Sequence, residues 1–183
     1  MAYMVLDTET TGFNHYKDRV TQIAFIVFDD EHKELFRYNE FIKPEGWTIP
    51  KTDFFLEHNM STEKCERLGV PLYDALRAVQ DNLKKVNLVV GHNIAYDKRF
   101  ILEEMRRKNI TVELFKFKKT FCTMQNNRVK VGAVNKSGGL KNPSLKECAV
   151  HFGVKTDILH DALEDILITS KIYKINKNGT DTK

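Results

Sequence analysis

Three apolar runs rich in β-branched and aromatic residues crowd the first 42 positions: Tyr3 to Thr8, Val20 to Phe28 (VTQIAFIVF) and Leu35 to Ile42. Each reads as a β-strand. The first is followed by a turn through Thr11, Gly12 and Asn14. The links between runs are short, and short links favour antiparallel neighbours. Beyond an irregular segment bracketed by Pro44 and Pro50 and containing Trp47, the pattern changes. Apolar residues recur at Leu72, Ala75, Leu76, Val79, Leu83 and Val86 with Pro71 in front, which predicts a helix from Leu72 to Val86. Leu88 to Val90 reads as a short buried strand ending at Gly91, and Ile94 to Lys108 as a helix capped by Asn93. Ser144 to Phe152 and Ala162 to Ile175 are the last two helices, with a flexible break expected at Gly138-Gly139. Strands first, then helices alternating with strands, indicate a mixed α/β sheet with helices packed on it. The 183 residues suit one domain, taken as 1–176, with 177–183 as a flexible tail.

Charge is unevenly placed. No acidic residue lies between Glu113 and Glu147, where Lys116, Lys118, Lys119, Arg128, Lys130, Lys136, Lys141 and Lys146 supply eight positive charges; with an overall +4, the remainder carries −4. Lysines and arginine interleaved with Phe115, Phe117 and Phe121 suit a phosphate backbone, while a solvated basic loop has the same composition. Cys65, Cys122 and Cys148 are odd in number and lack CxxC spacing, which argues against a disulfide framework and a structural zinc site. The apolar stretch from Tyr3 to Leu6 is too short for a signal-peptide core, and no run reaches the roughly 20 apolar residues of a membrane helix. A cytoplasmic protein without membrane contact is expected.

Three acidic constellations stand out. Asp7 and Glu9 end the first strand two residues apart, so both project from one face, roughly 7 Å apart along it. They are either a pair that needs a hard cation such as Mg²⁺ or Mn²⁺, or a solvated strand end before a turn. Asp97 follows Gly91-His92-Asn93 in the first turn of a helix, and its neighbours Phe100 and Ile101 turn it inward. It needs a partner there, and the helix N-terminus is one candidate. His160-Asp161-Ala162-Leu163-Glu164-Asp165 opens the last helix, with Asp161 and Glu164 as a variant capping box. His160 then lies on the preceding loop and Asp165 inside the first turn.

Taken together, DxE on a strand, GHN with Asp after three intervening residues, and HxAxxD opening a late helix resemble the DnaQ-like 3′-to-5′ exonucleases of the DEDDh subgroup. Glu57-His58-Asn59-Met60 resembles the family's histidine segment after the third strand, with Asn59 where the family usually has Gly. Ser144 to Ala149 and Phe152-Gly153-Val154 resemble its penultimate helix, so the likeness spans residues 3 to 175. It implies a ribonuclease H-like fold, a five-stranded mixed sheet flanked by helices. It also implies that Asp7, Glu9, Asp97 and Asp165 bind two divalent cations, Mg²⁺ or Mn²⁺, about 4 Å apart, with Asp7 bridging both. His160 would be the general base, a role suited to a pKa near 6.5. A sister subgroup has Tyr four residues before the last Asp; Asp161 stands there, which excludes a tyrosine mechanism. By the same resemblance Thr10, Thr11 and Gly12 hold the terminal nucleotide, and Phe13, His58, Asn93 and Tyr96 line its pocket. For His58 a structural role, and for Phe13 a core anchor, are the competing readings.

The expected activity is release of 5′-mononucleotides from a free 3′ end, with single-stranded DNA as substrate. An RNA or short-oligonucleotide trimmer, a proofreading subunit beside a DNA polymerase, and a non-catalytic nucleic-acid binder are the alternatives. The stretch after Ile175 is too short for a separate partner-binding domain, which favours a stand-alone enzyme or small accessory subunit.

Overall fold

The run from Val20 to Phe28 is buried at every position because helices cover both faces of the sheet it crosses. The computed structural model describes residues 2–156 and 161–179. In chain order the elements are β1 (Tyr3–Thr10), β2 (Val20–Phe28), β3 (Glu34–Phe41), α1 (Asp53–Glu57), α2 (Thr62–Leu68), α3 (Leu72–Leu83), β4 (Leu88–Gly91), α4 (Ile94–Arg107), α5 (Glu113–Lys116), β5 (Lys119–Cys122), α6 (Thr123–Asn126), α7 (Arg128–Val131), α8 (Leu145–His151) and α9 (Ala162–Asn178). The five strands form one sheet in the order β3-β2-β1-β4-β5. The three N-terminal strands are antiparallel neighbours, whereas β4 and β5 run parallel to β1. The sheet is therefore mixed, as the change from short to helix-bearing links requires.

Alternation along the central strands sorts their side chains between two cores. Met4 and Leu6 of β1, with Ile23, Phe25 and Val27 of β2, meet Leu76 and Val79 of α3 and Phe100 and Ile101 of α4. Tyr3 and Val5, with Ala24, Ile26 and Phe28, meet Ala162, Ile166 and Tyr173 of α9 on the opposite face. Helix α8 packs beyond α9 through Cys148, Phe152, Ile168 and Ile172. Edge strand β3 is solvated along its first half, and Glu34 and Arg37 pair across it at 2.7 Å, which discourages further strand addition.

Several sequence expectations are corrected. Helix α3 ends at Leu83 rather than Val86: the Lys85 amide turns back to the Asn82 carbonyl at 3.0 Å, and Val86 stays buried outside the helix. Its apolar character reports burial, which continues past the helix. Of the aromatics interleaved with the lysines, Phe115 is in the core and Phe121 packs on Tyr173, ring centres 5.1 Å apart; only Phe117 of the three is exposed, at 73%. The basic segment is split by β5, with Lys116, Lys118 and Lys119 at its start and the remaining five cations beyond its end. Gly138-Gly139 is an ordered turn, in which Asn135 Oδ1 accepts from the Ser137 and Gly139 amides at 3.0 and 2.9 Å. Helix α9 runs through Asn178 to a left-handed Gly179. The three cysteines are free and buried, and among the described residues no helix is long and apolar enough to cross a membrane.

Candidate active site

The acidic residues converge at the carboxyl end of β1 because two helices approach that end from opposite faces. Asp7 and Glu9 share the strand face that also carries Tyr3 and Val5, the face α9 covers. Asp165, in the first turn of α9, joins them there, and carboxylate oxygens of Asp7, Glu9 and Asp165 all lie within 4.8 Å of one another. Asp161 caps α9, its Oδ1 accepting from the amides of Leu163 and Glu164 at 3.0 and 3.3 Å, and so fixes the turn that presents Asp165. Asp97 comes from α4 on the other face. Its Oδ1 accepts from both the amide and the hydroxyl of Thr8, at 3.0 and 2.8 Å, so it is only 2% exposed. The inward acid predicted from helical spacing is thus partnered by β1 itself.

Burial and mutual repulsion raise the carboxyls of Asp7, Glu9 and Asp97. The Asp7 carboxyl is held well above the usual range by burial first and then by Asp97, Glu9 and Asp165. Glu9 is pushed up to about 8 by burial, Asp165 and Asp97. Asp97 is pushed up to about 7 by burial, with the Thr8 hydrogen bonds opposing. Such a set favours protons or cations strongly over ionisation alone. Hard divalent cations take carboxylate oxygen, so the donor set fits them, and Asp7, Glu9 and Asp165 with Asp97 alongside are the residues that would hold them.

A cavity of about 640 Å³ opens beside the cluster, and Glu9 belongs to both. Six of the predicted substrate residues line it: Thr10, Thr11, Gly12, Phe13, Asn93 and Tyr96. Sequence reasoning missed Thr52, Phe54 and Phe55 on the facing wall, although a Phe-Phe pair shortly before His58 was the available signal. His58 does not reach the cavity. Its ring packs 4.4 Å from that of Phe54, and its Nδ1 lies 2.6 Å from the Phe54 carbonyl, so it supports the wall from behind. Phe13 is no core anchor, being 92% exposed. Asn93 stands at the N-cap position of α4 but makes no capping hydrogen bond, because its backbone is left-handed, φ 69°. Asn tolerates that conformation where a strand turns sharply into a helix, and its side chain is left for the cavity. His160 lies outside the described residues.

The pocket wall is held firmly. The register with β2 shifts between Glu9, paired with Gln22, and Thr10, paired with Val20. Beyond it the hydroxyls of Thr10 and Tyr96 both donate to the Gly12 carbonyl at 2.8 Å and lie 2.6 Å from each other. Gly12 is required by contact: a Cβ there would sit 2.6 Å from the Asp18 carboxylate, which accepts from the Asn14 amide at 2.8 Å. Fully buried Glu104 accepts from Arg19 at 2.8 and 3.1 Å and pairs with Arg107 at 3.1 Å. Arg107 in turn donates to the carbonyls of His15, Tyr16 and Asp18. Behind β4, His92 bridges Thr123 Oγ1 and the Pro143 carbonyl at 3.0 and 3.1 Å, and burial drives its pKa down to about 4, leaving it neutral.

The chain is similar to known proteins. The RNase_T family model, described as an exonuclease, matches residues 4–173. The DNA polymerase III subunit epsilon of Aquifex aeolicus is 27% identical over 175 residues, covering 93% of this chain and 78% of that protein. Ribonuclease T of Buchnera aphidicola is 27% identical over 190 residues, covering 93% and 80%. Exonuclease I of E. coli, solved with a dA16 oligonucleotide, superposes with a TM-score of 0.80 at 17% identity. That match covers 97% of this chain and 41% of exonuclease I, which is a statement about fold. With five strands in one mixed sheet, the acids gathered at one strand end and the family model spanning nearly all of it, the chain belongs to the DnaQ-like exonuclease family and is a 3′-to-5′ exonuclease of ribonuclease H-like fold.

Proposed function

We propose that this chain removes 5′-mononucleotides one at a time from the free 3′ end of single-stranded DNA, with Asp7, Glu9, Asp97 and Asp165 holding two divalent cations and His160 acting as general base. The observation that carries the reading is Glu9, which belongs both to the acidic cluster and to the wall of the 640 Å³ cavity. A terminal nucleotide in that cavity has its phosphodiester beside the acids. Bound there, Mg²⁺ or Mn²⁺ supplies charge neutralisation for the attacking and leaving oxygens and eases deprotonation of water. The chain's own residues do the rest. Thr8 holds one oxygen of Asp97 so that the other is presented in a fixed direction. Asp161 fixes the helix start that carries Asp165. The rim formed by Thr10, Gly12 and Tyr96 gives the sugar and base a preorganised wall, while exposed Phe13 and Phe54, the latter 45% exposed, offer faces that any base can stack on. Sequence-independent trimming follows from walls that present rings and backbone.

The similarity to ribonuclease T supports an RNA 3′ end as the second substrate reading, and that to subunit epsilon supports work beside a polymerase. A time course on 5′-labelled single-stranded, duplex and mismatched DNA and on RNA, with Mg²⁺ or EDTA, tests all of these. Single-stranded DNA is expected to shorten from its 3′ end in Mg²⁺ only. Asp7→Ala should abolish turnover, and His160→Ala should lower turnover far more than affinity. Full activity of Asp7→Ala in Mg²⁺ would refute the site, and RNA shortened faster than matched DNA would reassign the substrate.

A further inference from the structure

Phe13 has open space on both sides. One side faces the 640 Å³ cavity, and the other a second cavity of about 370 Å³, whose further walls include Tyr16 of the same loop and Arg99 and Phe100 of α4. At 92% exposure the ring gains almost nothing from packing, so its place is set by the backbone that carries it. The backbone bonds of that loop are internal: Thr11 donates to Arg19 at 2.9 Å, and Lys17 and Asp18 both donate to Asn14, at 2.9 and 2.7 Å. They shape the loop without fastening it to the fold. Helix α4 does the fastening, at two points about 16 Å apart by the rise of a helix. At its start Tyr96 donates to the Gly12 carbonyl at 2.8 Å. At its end Arg107 Nη2 donates to the carbonyls of His15 and Tyr16 at 3.0 and 2.8 Å, and Nη1 to that of Asp18 at 3.2 Å. Phe13 lies between these two grips in sequence. Glu104, one turn earlier and fully buried, holds the Arg107 guanidinium at 3.1 Å, and that of Arg19, at the far end of the loop, at 2.8 and 3.1 Å. Such charge-assisted bonds are strong, and a fork that spans three carbonyls needs a guanidinium. An edge contact of His15 with Phe100, ring centres 6.2 Å apart, adds a weaker tie.

We propose that Arg107 is a positioning residue of the exonuclease: braced by Glu104, it holds the loop so that the Phe13 ring is already in place for the base of the terminal nucleotide. The assignment rests on the nuclease reading above. Arg107 and Glu104 neither line the 640 Å³ cavity nor belong to the acidic cluster, so their influence on the substrate passes through the loop. Stacking of a base on an aromatic ring is sequence-tolerant. Its value depends on the ring being held beforehand, because ordering a loop at the moment of binding takes back part of the gain. A loop released from Arg107 keeps Phe13 but loses this preorganisation. The signature is a loss of what the terminal base contributes to binding, with the chemistry at the acids unchanged.

Steady-state kinetics in Mg²⁺ on dT6, and on the same oligonucleotide with a stable abasic 3′-terminal residue, separates positioning from general support of the fold. For the native chain KM should be about tenfold lower with the terminal base than without it. Phe13→Ala should remove most of that ratio. Arg107→Lys keeps a cation beside Glu104 and removes the fork. It should remove the ratio to a similar extent, raising KM for dT6 several-fold while KM for the abasic substrate and both kcat values change less than twofold. In the double variant the ratio should fall no further, because the two residues act through one contact. A native ratio near one, an unchanged ratio in Arg107→Lys, an equal change on both substrates, or losses that add in the double variant overturn the assignment. Should thermal unfolding show that Arg107→Lys does not fold, Asp18→Asn, which loosens the same loop at the Asn14 amide, is read by the same ratio. If no oligonucleotide is cut in Mg²⁺ or Mn²⁺, the nuclease reading is what fails; dissociation constants of the two labelled oligonucleotides in EDTA then decide the positioning role by the same ratio.

Discussion

The raised acids make the stability of the metal-free protein depend on pH in a direction opposite to that of most carboxylates. Glu9 titrates at about 8 in the folded chain against 4.5 ordinarily. The folded state therefore holds a proton that the unfolded state has lost, and the stability this contributes is complete below about pH 4 and disappears as pH rises through 8. From pH 6.5 to 8 the raised acids dominate, Asp97 at about 7 adding a loss of the same sign to that of Glu9. Below 6.5 the buried His92, driven down to about 4, begins to favour unfolding as pH falls. Above 8 the thiols of Cys65 and Cys148, pushed up to about 11 and about 12 by burial, introduce the same sign as Glu9. Across that window Glu9 alone removes about 1.5 kcal/mol, taking about 1.4 kcal/mol per unit of pKa difference. For a chain of this size that is a fall of about 3 to 6 °C in Tm. Thermal or urea unfolding in EDTA measures it. Glu9→Gln keeps the shape and removes the titration, so its metal-free stability should fall less steeply and exceed that of the native chain at pH 8. Mg²⁺ should reverse the trend for the native chain, adding about 2.7 kcal/mol at a hundredfold excess over Kd, and should add less to Glu9→Gln. A native chain as stable in EDTA at pH 8 as at pH 6.5, or a Glu9→Gln variant that falls as steeply, would show that the cluster is not under the strain assigned to it.

Two further substitutions test the pocket wall. Gly12→Ala places a Cβ against the Asp18 carboxylate and should displace the loop, raising KM for oligonucleotides tenfold or more while the metal-induced rise in Tm persists, read by kinetics and by thermal shift with Mg²⁺. Glu104→Gln leaves Arg19 and Arg107 without their shared anion and weakens the acceptor of the buried Val20 amide, 3.3 Å away; a loss of about 1 to 3 kcal/mol in urea unfolding is expected, and a neutral outcome would mean that the loop is held by its backbone bonds alone.

Much of the fold was legible because the information was local. Runs of β-branched and aromatic residues, a Pro before a helical stripe and the Asp161 cap each act within a few residues, so β1, β2, α4 and α9 emerge close to their observed bounds. Helix α8 starts one residue later than expected, because Ser144 is its cap and exchanges hydrogen bonds with Glu147 at 2.7 and 3.2 Å. The errors fall where residue type has more than one use. Val86 is apolar because it is buried, not because it is helical. Phe115 and Phe121 sit among lysines yet face inward, since neighbouring positions on an edge strand and a short helix point in opposite directions. Asn93 looks like a cap and is instead a left-handed turn.

Sequence by itself determined that Asp7 and Glu9 share a face, that Asp97 turns inward and that Asp165 lies in a capped first turn, because each follows from the pitch of one strand or one helix. Only the tertiary structure decided that α9 covers the Asp7 face while α4 covers the other, which gathers Asp165 with Asp7 and Glu9 within 4.8 Å and leaves Asp97 to be held by Thr8. The same packing decided that Phe54 joins the pocket, that His58 stands behind it, and that Phe13 divides two cavities. Those placements depend on the order of strands in the sheet and on an ion network between Arg19, Glu104 and Arg107, residues 85 and more positions apart in part, whose meeting no local spacing encodes.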